Sequence, residues 1–231
     1  MLLIILHYYL IIKKMDKKIY VVADLHYGHK NIVSGVSRWD NKDATRDFES
    51  AKEMNKALLL SINETVGPYD TLIFVGDLSF VYERETIKFL SALKCKNLEI
   101  ILGNHDQLIT KDTPVIFRPQ EKETLVREMF GVPIIKETAF KFSDIFTKIH
   151  TSRVELEYKK QRFVIDHYPL ESWNHSIRGA IMCHGHVHGA LDYSDLNMYH
   201  KRIDIRWDLF KRPILLDEII EMMKNRKNLE I

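Results

Sequence analysis

Five short stretches of the chain place aspartate, asparagine and histidine together at the ends of apolar runs. They are Asp24-Leu25-His26, Gly76-Asp77, Gly103-Asn104-His105-Asp106, His167 after "RFVID", and His184-Gly185-His186-Val187-His188. These are oxygen and nitrogen donors with no thiolate among them. Such a set suits Mn²⁺, Fe or Zn²⁺ better than a structural zinc knot or a calcium cage. An asparagine amide belongs in it, because its oxygen can coordinate a cation while its NH₂ donates to an anion. In the last stretch histidine recurs at every second position. Either strand alternation sets all three imidazoles on one face, or the glycines break the strand and re-aim the final two. Taken singly, each piece is ordinary: a lone Asp-x-His or Gly-Asp is usually a turn.

The elements that must position these residues alternate in type. Strand-like runs at Lys18–His26, Asp70–Ser79 and Leu98–Asp106 are separated by helical patterns at Phe48–Val66 and Glu83–Leu93. A βαβαβ opening predicts parallel pairing with right-handed crossovers. Open α/β sheets collect ligands beyond the carboxyl ends of their strands, where the polar residues lie. Beyond Asp106 the pattern predicts a helix at Glu121–Phe130, then strands at Thr138–Phe142, Arg153–Tyr158, Arg162–Ile165, Ala180–Cys183 and Arg202–Arg206, and a last helix at Leu215–Met223. The close spacing of these strands suggests a second, more antiparallel sheet. No linker rich in Gly, Ser or Pro interrupts the chain. The expectation is a single domain over residues 15–231, with two sheets face to face and helices outside.

Composition narrows the function classes. The chain has 231 residues, 45% of them hydrophobic, and a formal net charge of +2. Charges are mixed along it, without the basic stripe of a dedicated nucleic-acid binder. Cys95 and Cys183 show no CxxC spacing and fit a reduced, cytoplasmic setting. "MLLIILHYYLII" at the N-terminus is short for a bilayer span and lacks the flanks of a secretory signal. Residues 1–14 are expected to be an extension outside the fold, with Met15 a natural start; the alternative is a membrane anchor formed by residues 1–12.

In order, the motifs "DLHYGHKNI", "GDLSF", "GNHD", "HYPLESW" and "HGHVHG" resemble those of the calcineurin-like metallophosphoesterases, and specifically the compact bacterial and phage type. The resemblance runs from about Lys18 to Pro213. It implies an α/β fold, a four-layer αββα sandwich of two mixed β-sheets flanked by helices (metallo-dependent phosphatase-like), with a dinuclear metal centre. By motif position, Asp24, His26 and His188 would hold one divalent ion. Asn104, His167 and His186 would hold the other, and Asp77 would bridge them. Mn²⁺ is the leading expectation, with Fe, Zn²⁺ or Ni²⁺ as alternatives. The implied chemistry is phosphoester hydrolysis by a metal-bridging hydroxide. His105 would act as general acid or stabilise charge on the phosphate, with Asn104 also in the catalytic set.

The expected substrate is a phosphodiester or phosphomonoester of a nucleotide or other small molecule. The alternatives are a metal-dependent nuclease and a non-catalytic scaffold on the same fold. "GDLSF" departs from the GDxVDRG of the protein phosphatases, which counts against that branch. For substrate contacts the candidates are His29 and Asn31, on the loop after the first strand, and Arg38 beside Trp39. His184 has no place in the motif and reads as a partly buried neighbour. Asp106 is at best a weak partner for His105. Gly185 is expected to allow a sharp turn that sends His186 and His188 to different metals, with Gly189 letting the chain leave the site.

Overall fold

The structure, a computed structural model, describes residues 17–40, 45–118, 138–188 and 200–229. The N-terminal extension, the expected helix at Glu121–Phe130 and Gly189 lie outside these residues. Eleven strands are described: β1 (Ile19–Val22), β2 (Thr71–Val75), β3 (Asn97–Ile101), β4 (Val115–Phe117), β5 (Thr138–Phe140), β6 (Lys148–His150), β7 (Val154–Tyr158), β8 (Gln161–Ile165), β9 (Ile181–His184), β10 (Arg202–Asp204) and β11 (Ile214–Leu215). The first sheet runs β11-β1-β2-β3-β6, parallel throughout except for β11. The second runs β10-β9-β8-β7, and β4 pairs with β5 in a separate two-stranded ribbon.

The second sheet corrects an expectation. β10–β9 and β9–β8 are parallel, and only β8–β7 is antiparallel. The β7–β8 hairpin turns on Lys159 and Lys160, both at positive φ, as a two-residue turn of the primed kind requires. The β8–β9 connection instead returns through a short 3₁₀ turn at Ser176–Arg178. With no long amphipathic helix, this crossover left no periodic signal of a parallel pair.

Both sheets are mixed, and they stack as a sandwich. Alternation along the strands of the first sheet sends Val21, Ile73, Val75 and Ile101 toward Phe163, Ile165, Ile181 and Cys183 of the second. The opposite set, Val22, Leu72, Phe74 and Ile100, packs on Met54, Leu58 and Ile62 of the Ala51–Thr65 helix and on Ile87 and Leu90 of the Glu83–Ser91 helix. The first of these helices starts where Ser50 accepts the Glu53 N–H at 3.2 Å, an Ncap bond that satisfies one orphan donor. On the outer face of the second sheet, Val164 and Met182 are covered by Trp173 and Leu170. The C-terminal helix, Leu216–Met223, adds Leu216, Ile219 and Met223 to the core between the sheets.

The sandwich brings the strand ends of both sheets together. Asp24 N–H donates to the Gly76 carbonyl (3.1 Å), Ala23 N–H to the Ile205 carbonyl (3.1 Å), and Gly185 N–H to the His167 carbonyl (3.1 Å). These bonds lock the segments that carry the sequence motifs. No helix among the described residues is long and apolar enough to cross a membrane.

Candidate metal centre

Two clusters stand at the joined strand ends. Asp24, His26 and His188 form one, and Asp77, His167 and His186 the other; within each, the ligating atoms lie within 4.8 Å of one another. Asp77 connects them. Its Oδ2 lies 3.6 Å from His26 Nε2, and its Oδ1 lies 3.6 Å from His167 Nε2. Asp24 Oδ1 is 4.0 Å from His26 Nε2 and 3.9 Å from His188 Nε2. Asn104 joins the second cluster, its Oδ1 3.1 Å from His167 Nε2. His186 and His188 therefore do go to different clusters, as the sequence suggests.

Backbone conformation does much of the aiming. Asp24, His26, Asp77, His186 and His188 all have positive φ, between 46° and 72°. Non-glycine residues rarely adopt this region, and such outliers gather at functional sites. Gly185 works differently from expectation, by close approach. A Cβ there would sit 2.2 Å from Asp24 Oδ2 and 2.5 Å from the Ala23 Cβ. The glycine lets the second sheet's loop lie against Asp24, whose Oδ2 accepts the His186 N–H at 2.9 Å.

Electrostatics favour three of the histidines in their binding form. Burial lowers the pKa of His26, His186 and His188, that of His188 to about 4 with help from neighbouring His26. The neutral imidazole is the form that ligates. His167 is buried, and its Nδ1 sits 3.1 Å from the Val75 carbonyl. A carbonyl only accepts, so Nδ1 carries the proton and Nε2 keeps its lone pair for a cation. Burial, and then repulsion from Asp77, hold the Asp24 carboxyl well above its ordinary range despite the His186 N–H. Burial also raises Asp77, but the neighbouring imidazoles of His26 and His167 and the His105 N–H outweigh it and leave its pKa lowered. Among the described residues, Asp24 Oδ1 and both His26 ring nitrogens, all buried, have no hydrogen-bond partner. Two carboxylates facing neutral imidazoles, with orphaned donor atoms between them, fit a pair of divalent cations.

Other residues support this arrangement. His105 is exposed, and its N–H donates to Asp77 Oδ1 at 3.0 Å. Asp106, considered above as a partner for the His105 side chain, instead accepts backbone N–H groups: Gly103 (2.8 Å), Asp77 (2.9 Å) and Leu78 (3.0 Å). It pins the loops after β2 and β3 to each other. His184 is fully buried rather than partly so, with Nδ1 3.0 Å from the Gly185 carbonyl. His29 Nδ1 accepts the Ile32 N–H at 3.0 Å, and its ring lies 5.8 Å from both His26 and Trp39. Asn31 and Arg38 are exposed on the same loop.

Arg46 is the residue sequence reasoning missed. It is buried, grips Asp208 with two bonds (2.7 and 2.8 Å), and donates to the carbonyls of Asp24 (2.7 Å) and Leu25 (2.6 Å). Its guanidinium lies 5.2 Å over the Trp207 ring. It holds the strained Asp24–His26 turn from behind, yet no spacing rule links Arg46 to Asp208 in the sequence.

Fold and site together describe an α/β sandwich that carries a candidate two-cation centre on its strand ends. The sequence model for calcineurin-like phosphoesterases matches residues 17–220, and the chain belongs to that family. Its class is therefore the metal-dependent phosphoesterases. The chain is 27% identical over 216 residues to the uncharacterized protein MJ1445 of Methanocaldococcus jannaschii, a match that spans 91% of this chain and 94% of the relative. In structure it is similar to the protein of unknown function AQ665 from Aquifex aeolicus, with a TM-score of 0.59 at 20% identity, over 90% of this chain and 100% of that one. That likeness concerns the fold.

Proposed function

We propose that the protein is a two-metal phosphoester hydrolase acting on a phosphodiester or phosphomonoester of a nucleotide or another small molecule. The observation that carries this reading is Asp77, a single carboxylate with one oxygen toward each histidine cluster. Asp24, His26 and His188 would hold one cation and Asn104, His167 and His186 the other, with Asp77 shared. Mn²⁺ fits the mixed oxygen and nitrogen set, as do Fe, Zn²⁺ and Ni²⁺. When bound, the pair supplies Lewis acidity at the phosphate and lowers the pKa of water. The protein's own contribution is placement. Asn104 is exposed with an NH₂ to donate to a phosphate oxygen while its Oδ1 stays at His167. His105, whose backbone N–H donates to Asp77, would protonate the departing oxygen.

The test is to strip the chain with chelator, reload it with Mn²⁺, and assay bis-p-nitrophenyl phosphate and p-nitrophenyl phosphate. Two equivalents of metal with hydrolysis of either ester support the reading; no metal uptake sinks it. His105→Ala is expected to lower turnover about a hundredfold while both metals stay bound. Unchanged turnover would remove His105 from the acid role. Gly185→Ala should weaken manganese binding about tenfold by pushing Asp24 aside, a change isothermal titration calorimetry can read. Wild-type affinity would show that the loop yields without moving Asp24.

A further inference from the structure

Beside the candidate centre lies a groove of about 690 Å³ whose walls come from the loops after β1 and β2. His29 and Asn31 line one wall, Phe80 and Tyr82 the other, and Glu85 stands on its edge. Phe80 is the hinge between groove and centre. Its ring centroid lies 4.9 Å from His26, 4.8 Å from His105 and 4.3 Å edge-on from His29. One ring thus lies beside a candidate ligand, the candidate acid and the groove wall.

The walls are preformed. His26 N–H donates to the Asp77 carbonyl (3.0 Å), Tyr27 N–H to Leu78 (3.0 Å) and Phe80 N–H to Tyr27 (2.9 Å), which zips the two loops together. Gly28, at φ +77°, seals them: a Cβ there would meet Val81 Cγ1 at 2.2 Å. Tyr82 is 82% exposed, a large ring left in solvent at the mouth. Because His29 Nδ1 accepts the Ile32 N–H, its neutral ring carries its proton on Nε2, a spare donor. Glu85 accepts from Lys88 at one oxygen, 3.1 Å away.

We infer that this groove is the subsite for the leaving group of the phosphoester, and that it takes a planar heteroaromatic ring, the base of a nucleoside, against Phe80 and Tyr82. The inference rests on the two-metal reading above. A leaving oxygen protonated by His105 would place the group it carries against Phe80, the ring that lines the groove at that point. Two aromatic side chains on one wall suit stacking on a π-face, and His29, Asn31 and Glu85 offer donors and acceptors for a base edge. The volume fits a nucleotide-sized ligand.

The test uses the full chain loaded with Mn²⁺ and compares binding of adenosine monophosphate, ribose 5-phosphate and inorganic phosphate by calorimetry. Adenosine monophosphate is expected to bind about tenfold more tightly than ribose 5-phosphate, the size of one base stacked on an aromatic ring. Tyr82→Ala should erase that margin and leave phosphate and ribose 5-phosphate affinity unchanged. Phe80→Leu, a smaller change in the wall, should reduce it in part. Equal binding of the two sugar phosphates to the wild type overturns the groove assignment alone, as does a Tyr82→Ala margin equal to wild type. Failure to bind manganese and phosphate at all overturns the two-metal reading and this inference with it.

Discussion

Asp77→Asn is expected to cut Mn²⁺-dependent turnover about a thousandfold and to leave fewer than two equivalents of metal bound. The substitution keeps the shape of the side chain and exchanges one oxygen for an NH₂, which donates and does not ligate. Each Asp77 oxygen faces a different histidine, at 3.6 Å in both directions, so either rotamer of the amide turns an NH₂ toward one cluster. On the two-metal reading, the negative charge that is lost would also offset the repulsion between the two cations. On that reading several kcal/mol of transition-state stabilisation would depend on the cations, and about 4 kcal/mol corresponds to a thousandfold in rate. The His105 N–H, which now donates to Asp77 Oδ1, adds a bias. It holds an acceptor on its own side and so directs the NH₂ toward His26. The expected residual occupancy is therefore in the second cluster. Metal analysis on purified protein and initial rates on both nitrophenyl esters decide the matter. Two tightly held metals with wild-type turnover would show that Asp77 bridges nothing.

The second large effect concerns stability. Arg46→Met is expected to destabilise the fold by about 3 kcal/mol, because it leaves a mostly buried carboxylate and two backbone carbonyls without their donor. For a chain of this length that is roughly a 10 °C drop in the unfolding midpoint. Arg46→Lys should recover little, since one ammonium cannot replace a planar fork that serves Asp208 and two carbonyls at once. Arg46→Met with Asp208→Leu should recover more than Arg46→Met alone, because the stranded charge is gone. Thermal unfolding in excess chelator measures the fold by itself. If the double substitution proved worse than Arg46→Met, the cost would lie in the carbonyls of Asp24 and Leu25 and not in the Asp208 charge.

Much of the first sheet was legible beforehand, and the residues that form the two clusters had been named through the family resemblance. β1, β2 and β3 are apolar runs that each end in the polar residues of the site, so strand and ligand announced one another. The Ala51–Thr65 helix showed itself through Met54, Leu58 and Ile62 at helical spacing. Three things were hidden, each for a physical reason. The parallel pairing of β8 with β9 depends on a crossover without helical period. β6 is three residues long and half exposed, too short for alternation to show. Asp106 and Arg46 act through backbone groups, which carry no residue code. Asp106 stood inside a visible motif, where an aspartate three residues after a glycine can receive that glycine's N–H. Arg46 sits in a stretch with no pattern at all.

The five left-handed backbone positions at Asp24, His26, Asp77, His186 and His188 have a consequence for how the protein endures. At about 1 kcal/mol each, they consume an amount comparable to the entire margin by which an ordinary domain stays folded. A ligand that binds only the folded chain restores about half of that by mass action, about 2.7 kcal/mol at a hundred times its dissociation constant. On the two-metal reading, the melting temperature of this chain would be a gauge of its cation supply. Starved of metal, the protein would on that reading be prone to proteolysis, and its abundance would follow the availability of the ion.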